Sequence, residues 1–148
     1  IDALDLKIIS FLDENGRTSF AEIGKKINLS QVAVKNRIDN LLKEGILTIR
    51  GSLNIDRFYT ISADIQIEAE REAVKKLIEK FENKQDIYHL AKRSGGRYNF
   101  SIGFLAHNVE NIEEFVETEI RSFPGVKHLE VFIGELPIIP KTISPKLS

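Results

Sequence analysis

The chain has 148 residues, of which 42% are hydrophobic and 29% charged, with a formal net charge of -1 and no cysteine or methionine. That apolar share suffices for one or two buried cores, the absence of cysteine excludes a disulfide framework and a thiolate metal centre, and the net charge excludes a whole-protein polycation. No apolar run approaches bilayer-spanning length and no basic-then-apolar leader opens the chain, so a cytoplasmic protein without membrane contact is expected, with an initiator or a few residues preceding Ile1.

Asp2 is placed to cap a first helix in which Leu4, Ile8, Phe11 and Leu12 follow i, i+4, i+7, i+8, with Gly16 closing it. Ser19 and Glu22 have the spacing of a capping box, and Ile23 and Ile27 give the helix that follows one buried stripe. Asn28 and Leu29 make a tight turn, and Ser30 caps a third helix that ends at Gly45 as a left-handed residue. In that helix Val34, Ile38, Leu41 and Leu42 share one face, while Val32, Ala33, Asn36, Asn40 and Lys43 take the other, with Arg37 on its flank. Three helices joined this way resemble a helix-turn-helix unit, whose second paired helix enters the DNA major groove. Charge agrees. Arg17 to Arg50 holds seven Lys or Arg against three Asp or Glu, a balance of +4, whereas residues 61 to 148 hold twelve against fourteen, a balance of -2.

Leu47, Ile49, Leu53 and Ile55 alternate around Gly51, which predicts a short hairpin or connecting strand and a domain boundary near Asp56 to Tyr59. Two domains are expected: residues 1–56, a helix-turn-helix with its connecting strand, and residues 57–148. In the second, Ile61, Ala63, Ile65 and Ile67 predict a strand, and Val74, Leu77, Ile78 and Phe81 a helix beginning near Arg71. Ile87 to Arg93 reads as a strand, and Ser94-Gly95-Gly96-Arg97 as a turn. Tyr98, Phe100, Ile102, Phe104 and Ala106 predict another strand. Ile112, Phe115, Val116 and Ile120 place a helix entered at Asn108 or Asn111, and Val126 to Gly134 a last strand. The order β-α-β-β-α-β predicts an α+β fold with a ferredoxin-like four-stranded antiparallel sheet. Its open face is expected to be partly apolar and to invite a second copy. Leu136 to Ser148, with three prolines, reads as an extended tail or added edge strand.

Taken together, I-D-A-L-D-L-K-I-I-S-F-L, G-R-T-S-F-A-E-I, L-S-Q-V-A-V-K-N-R-I-D-N-L with E-G-I-L, G-G-R-Y-N-F and F-P-G-V-K-H, in this order and spacing, resemble the Lrp/AsnC (feast/famine) transcription regulators over essentially the whole chain. The resemblance implies a helix-turn-helix joined to an ACT-like dimerisation and effector domain, a homodimer assembling further into tetramers to octamers, and an amino acid or related small effector between dimers. The family usually carries an acidic residue where Asn99 stands; a neutral amide does not pair with a ligand ammonium as a carboxylate does. Gly95, Gly96, Arg97, Tyr98, Asn99 and Ser101 are the candidate effector-binding residues.

For double-stranded DNA, Gln31, Val32, Ala33, Asn36, Arg37 and Asn40 are the candidate base-contacting residues, because Asn and Gln pair with adenine and Arg with guanine. Arg17, Lys25, Lys26, Ser30 and Lys43 are candidates for phosphate. Arg37 could equally form an intramolecular ion pair. His89, His107 and His128 lack the short spacings of metal ligands, and no nucleophile–base pair or phosphate-cradling loop is present, so neither a metal, a cofactor nor an enzyme is expected. A sequence-specific, oligomeric transcription regulator follows. The rival is an ACT-like sensing or adaptor module whose helix-turn-helix makes protein contacts.

Overall fold

The computed structural model describes residues 1–146. The chain divides into two compact units, Ile1–Arg50 and a second beginning at Gly51.

The first unit is three helices, α1 (Ala3–Glu14), α2 (Phe20–Ile27) and α3 (Gln31–Lys43). Each start is fixed locally. Asp2 and Asp5 form one capping box and Ser19 and Glu22 another, and the Ser30 hydroxyl accepts the Ala33 N–H at 3.1 Å. Gly45, at φ +71°, ends α3: its N–H donates to the Leu42 carbonyl and that of Ile46 to Leu41, the paired bonds of a Schellman motif. Ile8, Leu12, Ile23, Val34 and Ile38 form the core. Leu42 departs from expectation. It lies beyond the edge of the buried stripe and is exposed.

The second unit contains β1 (Leu53–Asn54), a 3-10 turn at Ile55–Arg57, β2 (Ile61–Ala69), α4 (Arg71–Phe81), β3 (Ile87–Lys92), β4 (Phe100–Ala106), α5 (Val109–Phe115), β5 (Val126–Glu135) and β6 (Thr142–Ile143). Strands β3-β4-β2-β5 form an all-antiparallel sheet in that spatial order, the ferredoxin-like arrangement expected from the alternating pattern. Ala63, Ile65 and Ile67 of β2, with Phe100, Ile102 and Phe104 of β4, pack beneath Val74, Leu77 and Phe81 of α4 and Ile112 and Phe115 of α5. Asn108 caps α5 through the Asn111 N–H, and the helix widens into a π-helical turn over Val116–Arg121.

Two expectations change. Leu47 and Ile49 lie in no strand; Leu53–Asn54 pairs instead with Thr142–Ile143, so the tail returns to close a separate two-stranded ribbon and not the main sheet edge. The last two residues of that tail lie outside the described residues. The ribbon buries Ile55, Ile143 and Leu105. The sheet face away from the helices carries Ser62, Asp64, Gln66 and Glu68 from β2, so its middle is polar, with Phe132 as its exposed apolar member.

Candidate functional site

Helix α3 carries a polar, exposed face opposite its core stripe. Gln31, Val32, Asn36, Asn40 and Lys43 are exposed, Ala33 is half-buried, and Val32, at 67% exposure, is an apolar side chain left in water opposite the core stripe. No side-chain hydrogen bond within the described residues occupies Gln31, Asn36 or Asn40. Arg17, Lys25, Lys26, Ser30 and Lys43 are exposed too, although Lys26 Nζ sits 4.9 Å from the Phe11 ring centroid and the Ser30 oxygen already caps α3.

Arg37 takes the second of its two expected places, an intramolecular ion pair. Its guanidinium donates to Asp2 at 2.8 and 2.9 Å and to Asp5 at 2.9 Å, tying α3 to the start of α1. The reason is angular: Arg37 is about 60° from Val34 around the helix axis and reaches α1 before solvent. The guanidinium beside it holds the Asp2 carboxyl down at about 2, helped by the Asp5 and Leu4 N–H groups, and Arg37 is raised in turn. Lys35 pairs with Asp39 one turn along. The acids that compensate the basic helix thus select Lys35 and Arg37.

Gly24 holds the two helices at their close approach. A Cβ there would stand 2.4 Å from the Leu29 carbonyl oxygen, and Asn28 turns the chain in the left-handed region at φ 58°. Composition offered no sign of Gly24's role. A glycine inside a short helical pattern, four residues before an Asn turn, was the available signal.

The 94–101 segment divides. Gly95, at φ +87°, and Gly96 have open space around them. Arg97 Nε donates to Glu68 Oε2 at 2.9 Å, which lowers the Glu68 carboxyl, and the Tyr98 ring stacks near His128 at 6.0 Å. Asn99 is engaged by backbone: its Oδ1 accepts the Ala69 N–H at 3.0 Å and its Nδ2 donates to the Ala69 carbonyl at 2.7 Å. The side chain extends the β2–β4 ladder, which a carboxylate could not do because it lacks the donor. Ser101 is fully buried, with its hydroxyl 3.4 Å from His89 Nε2 and 3.5 Å from the Ala91 carbonyl.

The third histidine stands apart: His107 stacks on Tyr59 at 5.7 Å, whose phenol donates to Asp86 at 2.8 Å and is raised by burial and that carboxylate. No group of three potential metal ligands occurs among the described residues. None of their helices is long and apolar enough to cross a membrane.

The AsnC-type helix-turn-helix domain family matches residues 1–42. The chain is 30% identical over 137 residues to the uncharacterized HTH-type transcriptional regulator PH1055 of Pyrococcus horikoshii, covering 88% of this chain and 84% of that one. Among solved structures, AsnC of E. coli superposes with a TM-score of 0.84 at 22% identity, covering 98% of this chain and 99% of that one. The regulator NMB0573 of Neisseria meningitidis, solved as an L-Met complex, superposes with a TM-score of 0.79 at 19% identity, covering 100% and 96%. The chain belongs to the Lrp/AsnC family of transcription regulators.

Proposed function

We propose that the chain is a sequence-specific DNA-binding regulator that works as a homodimer or a higher homo-oligomer in the cytoplasm, its response set by a small molecule related to amino acids. Family membership makes it a transcription regulator and not an enzyme. The observation that carries the specific reading is the exposed, unpaired amide series Gln31, Asn36 and Asn40 beside exposed Val32 on α3. Amides read adenine edges and a branched apolar group meets the thymine methyl. Lys25, Lys43 and Arg17 supply phosphate contacts that set the register without reading sequence. Two copies would present two such helices to a roughly palindromic site.

The effector reading rests on Gly95, Gly96, Arg97 and Tyr98, which stay accessible, and on the L-Met bound by the Neisseria meningitidis relative of the same fold. Selection from random duplex pools at moderate salt tests the whole. Enrichment of one palindromic sequence, with binding that falls steeply as salt rises, is the expected result. A pool without enrichment would leave the adaptor reading, in which the helix-turn-helix contacts protein.

A further inference from the structure

A cluster of four basic residues in the second unit lies beside Asn99 and is unused by the contacts described so far. Arg71 and Lys75 are one turn apart on α4 and therefore share a face. Lys92, at the end of β3, stands opposite Phe100 in the β3–β4 ladder. Because Phe100 is buried beneath the helices, the Lys92 side chain leaves on the same side, toward the start of α4. Arg93 follows it, fixed by its N–H to the Asn99 carbonyl at 2.8 Å.

These residues line two adjoining hollows. One, of about 430 Å³, is bounded by Arg71, Glu72, Lys75 and Lys92. The other, of about 240 Å³, is bounded by Arg71, Val74, Lys92, Arg93 and Asn99. Four basic residues and one acid, Glu72, thus line the two hollows. Among the described residues none of the four has a carboxylate within 4.0 Å, although Arg37, Lys80, Arg97 and Arg121 elsewhere all have one. The cleft across the sheet differs: there Lys84 is balanced by Asp86, Glu114 and Glu119. A concave site of one sign concentrates counter-charge, and arginine's planar fork matches a carboxylate or phosphate. Glu72 is the one carboxylate that could receive an ammonium, outnumbered four to one by the cations, and Asn99 in the second hollow is neutral and already bonded to Ala69.

We infer that this cleft binds a small molecule carrying two anionic groups, one held by Arg71 and Lys75 and the other by Lys92 and Arg93. It rests on the effector reading above and refines it: the ligand is a dianion and not a neutral zwitterionic amino acid. The volume suits a small organic acid, and a dicarboxylate and a diphosphate share the required chemistry.

Thermal shift on the full chain, with succinate, 2-oxoglutarate, pyrophosphate, L-methionine and L-leucine at ionic strength matched by sodium chloride, tests it. At least one dianion is expected to raise Tm by roughly 2–4 °C, with L-methionine and L-leucine giving less. The best probe identifies the anion as carboxylate or phosphate. Arg71→Gln and Lys92→Gln, both at exposed positions, should each weaken that probe about tenfold in calorimetric titration, and Lys76→Gln, on the same helix but outside the cleft, should not. Equal shifts in all variants, no shift beyond the salt control, or a larger shift from L-methionine would overturn the inference. So would loss of duplex DNA binding in Arg71→Gln without any anion effect, which would make the cleft a phosphate-backbone contact. The titration uses no DNA, so a duplex pool without enrichment leaves this result readable, and failure here leaves the DNA reading standing.

Discussion

The guanidinium of Arg37 lies 2.8 Å from the carboxylate of Asp2, joining the face of α3 beside its buried stripe to the residue that starts α1. Arg37 thus ties the three-helix unit together. Arg37→Gln should lower Tm by a few degrees while leaving the preferred duplex sequence unchanged. The sign with pH is set by Asp2, whose carboxyl is held at about 2 against an ordinary 3.8. A depressed folded-state value gives stability that is fully present above the ordinary value and is lost as pH falls toward 2. The Tm gap between wild type and Arg37→Gln should be flat above about pH 4 and close below it. A gap that persists unchanged at pH 2 would remove the Asp2 link, and a changed duplex preference would return Arg37 to the base-reading set.

Gly24 sets the separation of α2 and α3. With a Cβ 2.4 Å from the Leu29 carbonyl oxygen, Gly24→Ala must push the turn apart, at a cost on the order of 1–3 kcal/mol. Hydrogen exchange should show faster exchange in residues 1–50 and unchanged protection in β2 and β4, because the two units have separate cores. Uniform loss of protection in both would refute a local effect.

The Asn99 amide bonds both backbone groups of Ala69. Asn99→Asp keeps the acceptor for the Ala69 N–H but loses the donor that satisfies the Ala69 carbonyl, 2.7 Å away, and sets two oxygens against each other. The expected loss is about 1–3 kcal/mol in denaturant unfolding at neutral pH. It should narrow under acid conditions, where the protonated side chain can donate again. A neutral-pH stability equal to wild type would mean that the ladder extension contributes nothing.

The sheet was readable in the sequence because one face of it is buried. Ala63, Ile65 and Ile67 against Phe100, Ile102 and Phe104 alternate with period two, and that pattern fixes strand, face and register together. The helices were equally legible through local caps, as at Ser19–Glu22 and Asn108. What escaped was tertiary. Leu53 pairs with Ile143 across most of the second unit, and no periodicity of either two-residue strand announces that pairing. The π-helical turn at Val116–Arg121 keeps the same buried residues, Val116 and Ile120, as an α-helix would. At the candidate site the exposed members of α3 followed from angle alone, but Arg37 did not, because its partners lie on α1. The cations at 71, 75, 92 and 93 were visible as charges; only the β3–β4 register brings the two pairs to one cleft.

The reading of α3 makes its two classes of contact separable. Asn36 is exposed, unpaired and opposite the core stripe, whereas Lys25 is an exposed charge at the end of α2. If Asn36 bonds a base edge, Asn36→Ala should lower the ratio of specific to non-specific affinity by roughly 5- to 150-fold, the equivalent of about 1–3 kcal/mol, and relax one position of the selected sequence. If Lys25 meets a phosphate, Lys25→Ala should weaken all duplexes alike and reduce the slope of log affinity against log salt by about one. Arg37→Gln, bound up with Asp2 and Asp5, should do neither. Fluorescence anisotropy with the selected duplex and a scrambled one, at several salt concentrations, measures all three. Were Asn36→Ala to weaken both duplexes equally, α3 would be a docking surface for backbone or protein, and the amide series would lose its assigned role.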